Sequence, residues 1–359
     1  MELGENVAMT PFTTLGLGGA ARFLVPVGGE SEAVEAARWA AGHRVALHVL
    51  GGGSNLVIAD SGVDGLVVRT AGRGVEVAGG AGEVLATAAA GEPWDELVAR
   101  CVAEGWQGIE CLSGIPGTVG ATPIQNVGAY GQEVADIIRA VRVLDLRTLA
   151  CRTLPARDCA FSYRHSVFRQ QPGRLLVLTV TFALCPGGAP VLRYAELERA
   201  VAAGHAAPTL RAVREAVLEL RRGKSMLVEP NDPFSRSVGS FFVNPVVDLA
   251  IASGVAARAV AGGLVADAQA VPRHDTADGR VKLSAAWLVE KAGFPRGTRR
   301  GTVGVSLHHA LALVHHGSGT AAELVALARD IRAAVRTRFG IDLQPEPIFW
   351  GFPTPDPTA

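Results

Sequence analysis

The chain has no excess of charge of either sign: its 359 residues carry 34 basic and 34 acidic side chains. Proteins that hold nucleic acid through their overall field show a basic excess, so the balance argues against that class and requires any charged ligand to be met by a local cluster. Cysteines are few and odd in number, five, and no two stand as CxxC. This argues against both a disulfide framework and a zinc site, and leaves Cys101, Cys111, Cys151, Cys159 and Cys185 as buried free thiols of a reducing compartment. The first ten residues hold Glu2 and Glu5 but neither a basic stretch nor a long apolar one, so no secretory signal is expected there. The longest uncharged run, Cys111 to Gln132, has 22 residues, enough to raise the question of a membrane span. Its five glycines and two prolines would leave backbone groups unpaired in lipid, and it reads instead as a buried or ligand-facing loop. There is no repeat of 20–50 residues and no coiled-coil heptad. A cytoplasmic protein, monomeric and without membrane or nucleic-acid partners, is the expectation.

Glycine is abundant at about 12 % (43 of 359), above the usual ~7 %, and lacks a G-X-Y period. Hydrophobic residues make up 48 %, enough for a sizeable core, and the length suits about two domains. Helices are expected over Ser31–Ala41, Pro93–Glu104, Thr209–Arg222, Ser284–Ala292 and Thr320–Phe339. Each stops at a glycine, and the last opens with a Thr320/Glu323 capping box. Short β-branched runs at Val45–Leu50, Leu66–Val68, Val75–Ala78, Val141–Leu146, Leu175–Leu184 and Leu311–Val314 read as strands. Cys185–Pro190 is the expected hinge between two halves, and Pro353–Ala359 a frayed tail.

Three features imitate ligand sites. Gly16-Leu-Gly-Gly-Ala-Ala21 looks like a dinucleotide fingerprint, but it precedes the strand-like run Arg22–Val27 where a strand-to-helix turn is needed. Gly223-Lys224-Ser225 looks like the end of a phosphate loop, but Leu218 stands where that motif needs glycine. His308, His309, His315 and His316 have no acidic residue spaced to complete a metal site, and read as a strand with solvated ends. No metal is expected.

Chemistry gathers elsewhere. In Leu50-Gly-Gly-Gly-Ser-Asn55 a strand runs into three glycines and two small polar residues. Without Cβ atoms, consecutive N–H groups can close on an anion such as a pyrophosphate; a plain glycine turn between strands fits the pattern equally. The stretch Ser113 to Gly131, rich in Gly, Pro and neutral donors, suits a flat, heteroaromatic, hydrogen-bonding ligand, or a loop stapled by its own turns. Three scattered segments follow: Phe161-Ser-Tyr-Arg-His-Ser166, Val238-Gly-Ser-Phe-Phe-Val-Asn-Pro245 and Gln344-Pro-Glu-Pro347. Singly, Arg164 suits an ion pair, Ser240 a cap and Glu346 a surface turn; together they bring a guanidinium, a hydroxyl and a rigidly framed carboxylate.

Read in order, the stretches TTLGLGGAARF, LGGGSNLV, GIECLSGIPGTVGATPIQNVGAYG, FSYRHSVF, GSFFVNP, LSAAWLVEKAG and QPEP resemble the UDP-N-acetylenolpyruvoylglucosamine reductase family over nearly the whole chain. The resemblance implies an α+β protein. Its N-terminal FAD-binding part (1–190) would have two α+β subdomains of the vanillyl-alcohol-oxidase-like flavin fold. An α+β substrate domain (191–350) and a tail (351–359) would follow. It further implies that Gly51, Gly52, Gly53, Ser54 and Asn55 hold the FAD pyrophosphate. Ser113, Gly114, Ile115, Pro116, Gly117, Gly120, Ala121, Gln125, Asn126, Gly128, Ala129, Tyr130 and Gly131 would lie along the flavin. Arg164, Ser240 and Glu346 would be catalytic, and Tyr194, Lys224 and Asn244 would hold the uridine diphosphate, with Tyr194 on a closing loop.

The implied reaction uses NADPH and FAD to reduce the enolpyruvyl ether of UDP-N-acetylglucosamine, a step of peptidoglycan precursor synthesis. Arg164 would stabilise an enolate, Ser240 would deliver a proton, and Glu346 would hold a proton or a hydrogen bond at the same group, with its pKa raised by burial. Lys224 is the first choice of cation for the diphosphate, Arg221 or Arg222 the second. The chain departs from the family pattern at Thr13, usually Asn, and at Val243, usually Lys, and the role of His309 is open. The alternatives are an FAD-dependent sugar or alcohol oxidase of the same superfamily and a non-catalytic nucleotide-binding module.

Overall fold

The computed structural model describes residues 1–80, 82–204, 208–276 and 278–359. Chain contacts divide it into two compact units. The first comprises Met1–Ala8, Ala20–Gly53 and Asp64–Leu227; the second comprises Met9–Gly19, Ser54–Val63 and Val228–Ala359.

The first unit is built on two sheets. One has four strands in the order Gly4–Ala8, Ala20–Val27, Val63–Thr70, Leu47–Leu50. The first two are antiparallel and the last two parallel. The helix Glu30–His43 joins this sheet's core through Ala33, Ala36, Ala37 and Ala40, small residues that allow close approach to Val25, Val27, Leu66 and Val68. The other sheet is antiparallel, in the order Ala150–Pro155, Ile138–Asp145, Leu175–Pro186, Val84–Ala89, Val75–Gly79. Along Val84–Ala89 buried and half-buried residues alternate, the period of two that a strand with one covered face requires. The helix Trp94–Ala103 covers it with Trp94, Leu97, Val98 and Cys101. Burying each such side chain contributes about 1.5–3 kcal/mol.

A helix pair, Ala195–Gly204 and Leu210–Gly223, completes this unit, with Leu197, Val201, Val213 and Val217 packed around Cys111. The expected division at 190 therefore does not coincide with the compact units. Residues 191–227 bury their apolar stripe in the first unit, and the chain changes unit after Leu227. Cys185–Pro190 is not the hinge, because Cys185 and Pro186 extend a strand and pair with Gln107 and Trp106.

The second unit wraps one large apolar core around the helices Leu249–Ala261, Ala285–Lys291 and Ala321–Phe339. Two three-stranded antiparallel sheets flank them, and Ile348–Trp350 pairs in parallel with Leu56–Ile58. The capping box at Thr320 and Glu323 forms as expected. The terminal segment is not frayed: Arg332, only 8 % exposed, holds Asp356 at 2.5 Å and Asp342 at 2.7 Å, and Thr358 is buried against it. Two further expectations are corrected. Cys185 is exposed and Cys151 half-buried, whereas burial pushes the Cys101 and Cys111 thiols up to about 12. His315 is not solvated: it is 3 % exposed, with Nε2 bonded to the Leu15 carbonyl at 2.8 Å, because its strand lies inside the core. Among the described residues no helix is long and apolar enough to cross a membrane, and no cluster could hold a metal ion.

Candidate active site

In the first unit the glycine turn meets the long loop. A Cβ on Gly52 would stand 2.5 Å from the Gly117 Cα, and one on Gly51 would stand 2.8 Å from the Thr118 hydroxyl. Only glycine permits that approach. Gly53 adds a left-handed φ of +61°. The Thr118 Oγ1 is buried with no hydrogen-bond partner. A buried hydroxyl left unsatisfied costs about 1–3 kcal/mol, so its presence beside the glycines points to a polar group that completes it. An FAD pyrophosphate or ring edge fits such a place.

The long loop is tied at both ends through Glu110, which is fully buried. Its carboxylate accepts from Gly108 N–H at 2.8 Å and from the Gln132 amide at 2.9 Å, while Gln132 accepts from Cys111 N–H. Several predicted flavin residues turn their polar groups inward. The Ser113 hydroxyl donates to the Glu110 carbonyl at 2.6 Å. Gly114 N–H donates to Asp95, and its carbonyl accepts from Arg221. Burial pushes the Asp95 carboxyl up, but the Arg214 fork and the Gly114 N–H outweigh it and hold it below its ordinary value. Gly120 donates to the Ala90 carbonyl and has no room for a Cβ against Ala90. Gly117 accepts from Trp94 N–H, and Ala121 packs beside Gly51. Ile115 and Ala129 pack on the apolar core, with Pro116 half-buried beside Ile115. Gln125 accepts from Arg169 at 2.9 Å. Glu110 was missed by sequence reasoning; the only signal was an acidic residue inside an apolar stretch.

Arg164 sits in a turn closed by the Ser162–His165 bridge, at a left-handed φ of +53°. Its guanidinium donates to the Asn126 carbonyl at 3.2 Å and to the Gly128 carbonyl at 2.9 Å. Asn126 and Tyr130 also adopt left-handed φ, +48° and +49°. Non-glycine residues in this region cost about 1–3 kcal/mol each and gather at functional sites.

Tyr194 and Lys224 belong to the first unit, not with a C-terminal substrate domain, because the helix pair that carries them packs there. Lys224 Nζ lies 2.7 Å from Glu196 and 5.7 Å from the Tyr130 ring centre, and Tyr194 meets the same ring edge-on at 5.9 Å. Tyr130 thus joins the tyrosine and lysine, and burial pushes its phenol up to about 12. Arg193 reaches the Gly131 carbonyl at 3.5 Å. Arg221 is 7 % exposed and engaged with Gly114 and Met226, and Arg222 pairs with Glu219 at the surface. Lys224 is half-buried, its side chain 31 % exposed, and is the one of the three that lies beside the Tyr130 ring.

The second unit places Ser240 and Glu346 on adjacent paired segments. Phe241 N–H donates to Leu311, Ser240 bridges Ala312, and Glu346 N–H donates to the Phe241 carbonyl at 2.8 Å. The prolines on either side of Glu346 fix its backbone, as the sequence suggested. Asn55 belongs here too: its side-chain amide donates to the Glu346 carbonyl at 3.2 Å, and its own carbonyl accepts from Ile348. Its neighbour Ser54 lies in the same unit. The Asn244 side-chain oxygen accepts from Ala285 N–H at 2.9 Å, at the start of a helix, leaving its NH₂ for other partners.

Comparison with known proteins gives two family matches along the chain. Residues 230–350 match the family described as UDP-N-acetylenolpyruvoylglucosamine reductase, C-terminal domain, and residues 21–148 match the family described as FAD binding domain. The UDP-N-acetylenolpyruvoylglucosamine reductase of Saccharopolyspora erythraea is 49 % identical over 350 residues, covering 95 % of this chain and 94 % of that protein. That of Streptomyces coelicolor is 46 % identical, covering 97 % and 90 %. A crystal structure of the reductase of the same name from Thermus caldophilus superposes with a TM-score of 0.65 at 25 % identity, covering 97 % and 98 %.

Proposed function

Because the chain belongs to the UDP-N-acetylenolpyruvoylglucosamine reductase family, we propose that it reduces UDP-N-acetylenolpyruvoylglucosamine to UDP-N-acetylmuramate, with NADPH as reductant, in peptidoglycan precursor synthesis. It is an FAD-dependent oxidoreductase. Bound FAD supplies the hydride chemistry, from NADPH to the terminal carbon of the enolpyruvyl double bond. The residues handle the charge and the proton. Arg164 forks onto the substrate carboxylate and stabilises the negative charge that spreads into it. Ser240 gives its hydroxyl proton to the carbon next to the ether oxygen; an enolate carbon is basic enough to take it. Glu346 hydrogen-bonds at the substrate carboxylate. Lys224 meets the diphosphate, with Tyr194 and Asn244 on the nucleotide. The glycine turn with Thr118, and the loop from Ser113 to Gly131, hold the flavin.

The observation that carries this reading is the backbone pairing of the segments that hold Ser240 and Glu346, 106 residues apart in sequence and joined at Phe241–Glu346 and Phe242–Pro345. A hydroxyl donor and a carboxylate so placed suit protonation of an enolate. We take the protein as cytoplasmic, a location that suits NADPH and nucleotide-sugar chemistry and that cell fractionation tests, and as a monomer with no nucleic-acid partner, which light scattering and a gel shift test. The decisive experiment is spectroscopic. The purified protein should be yellow, bleach anaerobically with NADPH, and regain its colour on addition of the enolpyruvyl substrate. Colour restored by air and not by substrate would mark an oxidase instead.

A further inference from the structure

The turn that carries Arg164 is secured by a carboxylate that the reaction does not use. Glu133 lies across a short hairpin from Gly128, with Gln132 opposite Ala129. Its Oε2 accepts from the Asn126 side-chain amide at 2.6 Å, a charge-assisted bond. The same amide nitrogen donates to the Ser162 carbonyl at 3.1 Å, and Ser162 opens the Arg164 turn. The Asn126 oxygen accepts from Ala135 N–H at 3.0 Å. Asn126 is 1 % exposed, and its amide is spent on these internal contacts, so its side chain serves the scaffold and its backbone carbonyl serves Arg164. Gly128 makes the arrangement possible. A Cβ there would stand 2.8 Å from the Glu133 Cγ and 3.4 Å from the Arg164 Nη1, so the carboxylate stem and the guanidinium share the space a side chain would take.

We infer that Glu133 is a positioning residue for Arg164, acting through Asn126: its carboxylate fixes the amide that joins the 128–133 hairpin to the 162–165 turn, and so sets the two carbonyls that aim the guanidinium. Left-handed backbone at both Asn126 and Arg164 persists only when the surroundings over-determine it, and Glu133 supplies that constraint. The inference rests on Arg164 meeting the substrate carboxylate. A small misplacement of such a group costs one to two orders of magnitude in rate.

The test uses the flavin-loaded enzyme in anaerobic stopped flow, where the two half-reactions separate. For Glu133→Ala, bleaching by NADPH should stay within about twofold of the parent, while reoxidation by the enolpyruvyl substrate slows about tenfold or more. Glu133→Gln keeps an acceptor oxygen and should recover most of that loss. Reoxidation of Glu133→Ala at the parental rate, or an equal slowing of both half-reactions, overturns the inference. If Glu133→Ala does not retain flavin, Glu133→Asp provides the second route. It keeps the charge but shortens the side chain by one methylene, so the bond to the Asn126 amide lengthens while the amide's bond to Ser162 stays; reoxidation should slow with bleaching parental, and parental reoxidation overturns the inference. Arg164→Ala separates the layers. Parental reoxidation there sinks the reading of Arg164 itself, whereas a slow Arg164→Ala beside a normal Glu133→Ala sinks only the role of Glu133.

Discussion

The roles proposed for Ser240 and Lys224, a proton and a counter-charge, can be tested separately. Ser240→Ala should stay yellow and bleach normally with NADPH, yet reoxidise with substrate about 10²–10⁴-fold more slowly, the usual worth of a general acid. A parental reoxidation trace would remove the hydroxyl from the chemistry. Lys224 is engaged with Glu196 at 2.7 Å in a half-buried pair worth about 1 kcal/mol, which a diphosphate of higher charge can displace. Lys224→Ala should therefore raise KM for the UDP-sugar about tenfold with flavin content unchanged, as steady-state kinetics and the flavin-to-protein absorbance ratio would register. Loss of colour would put the lysine in the cofactor site instead.

At the level of elements, the glycine turn and the C-terminal helix answer different questions. Gly52→Ala places a methyl 2.5 Å from backbone, which no rotamer relieves, so the turn must move away from Gly117. Flavin content should fall sharply while far-UV circular dichroism stays parental; undiminished colour would show that the approach of the two segments is irrelevant to the cofactor. The helix Ala321–Phe339 depends on its capping box, whose Thr320 hydroxyl accepts from Glu323 N–H at 3.1 Å. Thr320→Ala should cost about 1 kcal/mol in urea unfolding, without effect on either half-reaction.

Over the whole molecule, acid should act in two windows. Burial holds the His315 imidazole below its ordinary value of 6.5, despite the bond to Leu15 that favours the charged form. As pH falls below about 6.5 the unfolded chain takes up a proton that the folded chain refuses, so stability declines. The Asp342 carboxyl is held down by its bonds to Arg332; burial pushes Asp356 up, but Thr358 and Arg332 outweigh it. Their contribution is complete above the ordinary carboxylate range, and is lost as pH drops from about 4 toward their folded values. Melting temperature against pH should thus bend twice. His315→Gln should shrink the upper bend, leaving the share of His48 and His316, whose imidazoles burial also holds down, and Asp356→Asn should lose its difference from the parent as pH drops below about 4. A parent curve flat between pH 7 and 5 would contradict the role given to His315.

The helices with a one-sided apolar stripe and a capping or stop residue, such as Trp94–Ala103 and Leu210–Gly223, form within one or two residues of the pattern, because local hydrogen bonding and a single buried face decide them. The ordered motifs likewise carried the family to which the chain belongs. Local pattern was insufficient for Val84–Ala89, whose alanines have little strand preference and pair only because Leu175–Pro186 offers an edge. It was insufficient too for Leu249–Ala261, apolar on nearly every side, where burial of Ala252, Val255, Ala256 and Ala259 in a distant core selects the helix. The unit to which residues 191–227 belong, the docking of the terminal segment on Arg332, and the use of Asn126 as a strut all turn on contacts between residues far apart in the chain. Such contacts follow from which surfaces find each other once the cores close, and no neighbouring residue encodes them.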